Sequence, residues 1–597
     1  MTSGGITGGI GGSGNGGGTG GEGGEAGAGG AGGGSGGGSG SSSSVSSSSS
    51  GAGGAGGAGG AGGEGGMGGA GGMGGAGGGG TGGGMVDPCS MGCPAGTWDV
   101  DGNPLTGAQC GCEYQCTLVS ADKDPIDDGY KDDNCDGTDG VAEQCIYVSA
   151  GAGNDASAGT RQDPMKTIAA AIQQAQSKGV PSVCLSGEIY NEAVTVVSGI
   201  NIYGGFDHNN ADFRFRRSEA VTTTVKAVGT VFYAPQIDQE THIEGITIEA
   251  ATPQGAGEST YGVRLGGGVG QLYVRYNKMT IGKGNDGSVG ANGMLHAQSS
   301  APNGINGTNG AALNSNSGFG GAAPVCDAPG GKGGDGGQNT SAGQNGAQGF
   351  GGTQGGAGAP ANGCTPFIAD AGDPGGNGQN GTDSTQGAAG QGGNALGGVL
   401  DHFYRTANGT DGMAAQPAKG GGGAGGGGGG SGNGACLNEW DKGGGGGSGG
   451  CGGKGGNGGK GGMGGGGSFG VFAVAGKVIV TGNEILAGAG GKGGLGGNGA
   501  VGQLGGVGGT GGGNSDDSGP GGKGGNGGKG AAGGAGGGGG GGPSACLART
   551  GGVTFTWTGN SCSTGAVGLG ANGGTNPEGG VGGKGLDGTS GFNIQIN

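Results

Sequence analysis

Residues 242–281 read HIEGITIEAATPQGAGESTYGVRLGGGVGQLYVRYNKMTI. Three short β-branched runs sit in this stretch, HIEGITIEA (242–250), YGVRL (261–265) and QLYVRYNKMTI (271–281), with Gly and Pro between them. Runs of this length, bounded by turn residues, predict strands. The pattern extends upstream through VCLSGEIY (183–190), AVTVV (193–197), INIYGGF (200–206) and TTTVKAV (222–228). It opens at Ile146-Tyr-Val-Ser149, followed by a turn-rich loop, GNDASAGTRQDP (153–164). Only KTIAAAIQQAQSK (166–178) breaks the strand pattern. Its apolar residues at 168, 171, 172 and 175 line one helical face, and Gly179 ends it.

An internal repeat carries the pattern onward. Tyr261-Gly-Val through Tyr276-Asn277-Lys-Met-Thr-Ile leads into glycine, and Phe469-Gly-Val through Gly482-Asn483-Glu-Ile-Leu leads into glycine again. Each copy predicts one coil made of strand, turn, strand, asparagine and strand. GVLDHFY (398–404), GGVTFTW (551–557) and FNIQI (592–596) predict further isolated strands.

The opening of this region resembles a pectin-lyase-like right-handed parallel β-helix. The residues that carry the resemblance are Tyr147-Val148, Asn154-Asp155, Gly159-Thr160, Pro164, Lys166-Thr167-Ile168 with Ala171, Gly187 with Tyr190 and Glu192, Val194, and Ile202-Tyr203-Gly204-Gly205. The resemblance covers about 140 residues and implies an all-β solenoid from Ile146 onward, its first coil capped by helix 166–178. Ile168, Ile172, Val183, Leu185, Val194, Val196, Ile202, Ile246 and Ile248 are then expected to point inward.

Glycine dominates the rest, with 194 of 597 residues. Residues 51–77 place a non-glycine at every third position, and the period returns at Lys454, Asn457, Lys460, Met463 and again from Ala489 to Thr510. A period of three fits neither an α-helix nor a strand. It fits an extended left-handed helix of three residues per turn, and 18 prolines are too few for collagen. The excursions near 283–395, 405–467 and 488–545 are therefore either disordered or packed side by side through backbone N–H and C=O groups. The ordered alternative resembles PGRS-type proteins and polyglycine-II bundles. Residues 1–84, with a serine tract at Ser41–Ser50, predict a disordered Gly/Ser/Ala stalk. Four segments follow from this: the stalk (1–84), a Cys/Asp-rich module (85–145), the start of the β-helix (146–282), and glycine-rich insertions with interspersed coils (283–597).

A net charge of −18 argues against binding nucleic acid and favours divalent cations. The module 85–145 supplies −11 of that charge, from thirteen acids against two lysines. The 14 cysteines predict disulfides and an oxidising compartment. Cys326/Cys364, Cys436/Cys451 and Cys546/Cys562 read as local pairs. A zinc site over Cys89–Cys116 is the alternative, with irregular spacing and no histidine near. No transmembrane run is present, and MTSGGITGGIGG lacks the features of a signal peptide. An exported protein then implies a leader upstream of this chain, with a lipid anchor as one form it could take.

The strongest chemical motif is DDNCDGTDGVAE (132–143). Asp132, Asn134 and Asp136 supply side-chain oxygens, Gly137 the turn, Thr138 a carbonyl, and Glu143 a closing carboxylate. The pattern resembles the EF-hand calcium loop and the Asp-Cys-Asp-Gly repeats of secreted bacterial proteins, and it implies bound Ca2+. It departs from the EF-hand at Asp139, where an apolar residue is usual, and Pro125 and Gly129 leave no entering helix. A plain acidic loop in so acidic a segment would match as well.

Motifs of β-helix polysaccharidases are absent. Of four histidines, His242 opens a strand and reads as structural, and Asp401-His402 has no nucleophile beside it. The arginines of Asp212-Phe-Arg-Phe-Arg-Arg217 read as partners of nearby acids. The expected function is an exported or cell-surface structural or adhesive protein, calcium-stabilised, touching polysaccharide or matrix and no nucleic acid. The alternative is a carbohydrate-active enzyme, which acids clustered with Lys or Arg on one outer face of the coils would favour.

Overall fold

The computed structural model describes residues 92–597 apart from 101–102, 104, 106–110, 211–213, 313–316, 362–370 and 432–439. The chain divides into units 1–83 and 84–597. The first unit, and with it the expected stalk, lies outside the described residues.

Three parallel sheets organise the second unit. Sheet 1 stacks Cys145–Val148, Ser182–Ser186, Asn201–Asp207, Thr241–Glu244, Gln271–Arg275, Lys477–Thr481 and Thr554–Thr558. Sheet 2 stacks Ile189–Tyr190, Thr223–Val228, Ile246–Ala251, Lys278–Ile281, Glu484–Leu486 and Ser561–Ser563. Sheet 3 stacks Val194–Thr195, Thr230–Ala234, Thr260–Leu265, Ser468–Ala473, Ser544–Thr550 and Ser590–Ile596. From Ser182 onward the chain visits sheets 1, 2 and 3 in strict rotation, and each strand pairs in parallel with the strand one circuit earlier. The glycine-rich excursions all leave after a sheet 2 strand and return into a sheet 3 strand: after Ile281 to Ser468, after Leu486 to Ser544, and after Ser563 to Ser590. The fold is all-β with stacked parallel sheets.

The space between the sheets is filled by one continuous cluster of apolar side chains running from Ile146 to Val553. All nine residues expected to point inward belong to it. The helix spans Ile168–Lys178. Thr167 caps it by accepting from the Ala170 N–H, and Gly179 closes it at φ 68°, a backbone angle that favours glycine. Ile168, Ala171, Ile172 and Ala175 are its buried face, so the helix covers the open start of the apolar cluster.

The repeated asparagines form a buried ladder. Asn277 N–H donates to Asn483 Oδ1 at 2.9 Å, and Asn483 N–H donates to Asn560 Oδ1 at 2.9 Å. Their amide groups reach back to the preceding circuit: Asn277 Nδ2 donates to the Ile243 carbonyl, Asn483 Nδ2 to that of Val274 and Asn560 Nδ2 to that of Val480. The turn from sheet 1 to sheet 2 thus has its buried backbone groups satisfied by one side chain per circuit.

The glycine excursions are hydrogen-bonded to one another with a step of three residues. Segment 444–452 shows the pattern most fully. Gly444, Gly447 and Gly450 donate to the carbonyls of Gly519, Gly522 and Gly525. Gly445, Ser448 and Cys451 donate to Thr308, Ile305 and Pro302, while Gly446, Gly449 and Gly452 donate to Gly334, Gly331 and Ala328. The carbonyls of Gly444, Gly447 and Gly450 accept from Gly427, Ala424 and Gly421, those of Gly445, Ser448 and Cys451 from Gly512, Gly509 and Gly506, and that of Gly446 from Gly321. This segment is therefore surrounded by other segments on all sides. A Cβ at Gly449 would sit 2.0 Å from the Gly421 carbonyl oxygen, and one at Gly450 would sit 2.0 Å from that of Gly506. The uninterrupted runs 443–447, 425–430 and 536–542 lie in the buried middle, whereas the third-position residues of 489–513 stand at the surface, with Leu504 and Val507 exposed.

Two expectations are corrected. Residues 398–404 do not form a strand of a coil. They form an antiparallel hairpin, Gly398–Leu400 with Phe403–Arg405, around a tight Asp401-His402 turn with φ of 49° and 65°. Its Tyr404 packs on Tyr261 and Phe469, so the hairpin covers the outer face of sheet 3. The expected pairs Cys326/Cys364 and Cys436/Cys451 are also replaced, Cys364 and Cys436 themselves lying outside the described residues. Cys326 joins Cys451 across 125 residues, because the bundle brings their segments side by side. The Cys546–Cys562 pair is present, as are Cys93–Cys112, Cys116–Cys135 and Cys145–Cys184. Cys93, Cys112 and Cys116 of the alternative zinc site are thus disulfide-bonded, while Cys89 and Cys110 lie outside the described residues.

Candidate functional site

The acidic loop 132–143 folds against the outer face of sheet 1. Asp132 accepts from the N–H groups of Asp136 (3.2 Å) and Gly137 (2.7 Å), and Asn134 Oδ1 accepts from Asp136 N–H (3.0 Å). Asp136 accepts from Thr138 N–H (3.1 Å), Ala142 N–H (2.8 Å) and Asn134 Nδ2 (2.9 Å). Asp132, Asn134 and Asp136 are therefore brought together. Thr138 is buried, and its hydroxyl donates to the Phe215 carbonyl at 2.9 Å. Glu143 stands exposed on the short turn Ala142–Gln144. Among the described residues no group of three or more His, Cys, Asp or Glu is gathered so as to hold a metal ion. The loop is pinned by Cys116–Cys135 at its centre and by Cys145–Cys184 just beyond it.

Two further acids explain why the loop departs from the EF-hand pattern. Asp139 is fully buried and pairs with Arg217 at 2.5 Å. Of the arginines of 212–217 expected to meet nearby acids, Arg217 does so, whereas Arg214 donates to the Gln162 carbonyl; Asp212 and Phe213 lie outside the described residues. Burial pushes the Asp139 carboxyl up to about 7, against the lowering pull of Arg217. Asp124 accepts from Asp133 N–H and Gly140 N–H, and burial, reinforced by the charges of Asp132 and Asp136, raises it to about 6. Burial raises Asp136 as well. Asp139 at the eighth position is thus an anchor to the sheet rather than a spare ligand.

A second cluster sits on the outer face of sheet 1. His242 Nδ1 and Glu244 Oε1 are 2.5 Å apart, His242 Nε2 and Glu240 Oε1 are 3.0 Å apart, and Arg275 Nε donates to Glu244 Oε1 at 2.6 Å. Tyr273 stacks on the imidazole with centroids 4.5 Å apart. Glu244 is 1 % exposed, and its carboxylate is held from two sides, so it cannot meet an outside molecule without moving; Glu240 is 64 % exposed. Alternation puts residues 240, 242 and 244 on one face, and Arg275 joins them from the next circuit. The spacing of residues 240–244 was visible in sequence, but the partnership with Arg275 needed the circuit length.

No protein-family model matches the chain, and no curated protein or solved structure shows significant similarity to it. Among the described residues no helix is long and apolar enough to cross a membrane.

Proposed function

We propose that the chain is an exported, surface-displayed structural or adhesive protein. It is a right-handed parallel β-helix of the pectin-lyase-like kind, and one edge of it carries a polyglycine-II bundle. The observation that carries this reading is the hydrogen-bonded enclosure of segment 444–452. A chain that spends so many residues on backbone-to-backbone packing, and locks it with Cys326–Cys451, builds a rigid protrusion with little chemistry inside. The side chains it does present, every third residue, lie in rows on the outside, as a contact surface requires. The disulfides support an oxidising, extracellular or outer-surface location. The test is to display the chain on cells and measure retention on polysaccharide and matrix supports. Binding that disappears when 283–467 is replaced by a short linker supports the reading, and binding indifferent to that replacement opposes it.

Calcium belongs to this proposal as a stabiliser of the module. The donors are oxygens throughout, the chemistry a hard cation prefers. Asp132, Asn134 and Asp136 would hold it, with Glu143 turning in from the exposed turn and Thr138 offering its carbonyl. A second reading, a carbohydrate-active enzyme, is favoured by one observation: Glu240, Glu244 and Arg275 cluster on one outer face. Release of reducing ends from a polysaccharide panel, lost in Glu244→Gln, would support it over the structural reading.

A further inference from the structure

A cavity of about 920 Å³ opens where the hairpin 398–405 meets sheet 3. Its lining is mainly apolar, with Val228, Pro253, Leu400, Phe403, Tyr404 and Met463 among the walls, and it also includes Arg264. Arg264 is 4 % exposed, yet its side chain forms no ion pair and no hydrogen bond among the described residues, and its Nε and Nη1 are buried without a partner. Its guanidinium lies over two rings, with the centroid of Phe403 3.6 Å and that of Tyr233 4.0 Å from the guanidinium carbon. Tyr233 is itself fixed by a hydrogen bond between its hydroxyl and His402 Nδ1 at 3.0 Å.

An arginine cannot shed its charge, and a buried unpaired charge is costly. Ring contacts compensate part of that cost through the faces of the guanidinium. Its N–H groups, however, lie in the plane, where only an acceptor can meet them. The carboxylates nearest along the wall are otherwise placed: Glu258 accepts from Gly255 N–H at 3.0 Å, and Asp401 sits in the exposed hairpin turn with no ion pair to Arg264. A planar guanidinium packed over two rings is oriented in advance for the two parallel hydrogen bonds of a carboxylate.

We propose that this cavity binds a monocarboxylate with an apolar or aromatic body. The carboxylate would meet Arg264, and the body would lie against Leu400, Phe403 and Met463. The site lies away from the acidic loop and borders the glycine bundle at Asn408 and Met463. It is tested on the full chain, disulfides intact, by titration calorimetry with 4-phenylbutanoate and its uncharged counterpart 4-phenylbutan-1-ol. The acid should bind saturably and at least tenfold more tightly than the alcohol. Arg264→Met should remove that preference, and Arg264→Lys, which keeps the charge without the fork, should retain only part of it. No saturable binding of the acid up to about 10 mM, where even a contact worth some 3–4 kcal/mol would register, overturns the proposal. So does equal binding of acid and alcohol, or inorganic phosphate binding as tightly as the acid. The acid–alcohol comparison needs no variant, so the proposal stays testable if Arg264→Met does not fold.

Discussion

The sheets and the glycine bundle hold the same chain together by opposite means. Between the sheets, side chains do the work: Ile202, Ile243, Val274 and Val480 meet in a continuous apolar cluster, and their backbone pairing follows from it. In the bundle, the backbone does the work and most enclosed positions admit no side chain, because a Cβ at Gly449 or Gly450 would lie 2.0 Å from a neighbouring carbonyl oxygen. The first region tolerates changes of shape where volume is conserved. The second tolerates almost any residue on its surface rows, and in its middle only small side chains at particular positions such as Ala424, Ser448 and Cys451. The contrast teaches that glycine content alone does not signal a linker; what decides is whether glycine runs have neighbours at the right step.

Substitutions should separate the two regimes. Gly450→Val should have the largest effect, because overpacking against rigid backbone cannot be relieved by a rotamer change. We expect a loss of more than about 3 kcal/mol, read as a fall in denaturation midpoint and in yield of oxidised protein. Ile243→Ala should cost about 2–5 kcal/mol by cavity formation in the sheet core. If the glycine change proved milder than the isoleucine change, the account of the bundle would be weakened. Replacing both Cys326 and Cys451 by serine should cost about 2–4 kcal/mol, with the change in hydrogen exchange confined to the bundle. Asn483→Leu should cost about 1–3 kcal/mol, because it leaves the Asn277 N–H and the Val274 carbonyl without partners. Leu504→Ser, on an exposed row, should stay within about 0.5 kcal/mol of the parent.

What was legible in sequence follows the same divide. Side-chain periodicity marked the capping helix through its apolar face and Gly179, and it marked the inward positions of the strands. The paired motifs ending in Asn277 and Asn483 were visible as repeats, although nothing in them said that the asparagines stack. Where the backbone or distant segments decide, sequence was silent. Cys451 pairs with Cys326 because two glycine segments lie side by side, a fact no local spacing records. The hairpin at 398–405 resembled a coil strand because its apolar residues serve an outer face of a sheet instead of an inner one. One signal was available and went unused: the third-position residue disappears in 443–447, 425–430 and 536–542, and those runs are the ones enclosed by neighbours. In the acidic loop, the positions of Asp132, Asn134 and Asp136 followed from their spacing. The pairing of Asp139 with Arg217 did not, since it depends on how the module seats on sheet 1.

Hydrogen exchange resolved to single amides tests the central claim most directly. If backbone pairing orders the bundle, Gly447, Ser448, Gly449 and Gly450 should exchange as slowly as Ile243 and Val274 in the sheets, and Gly449→Ala should release the bundle amides while leaving the sheet amides protected. Exchange of 443–466 at the rate of an unstructured peptide, beside protected sheets, would contradict the account.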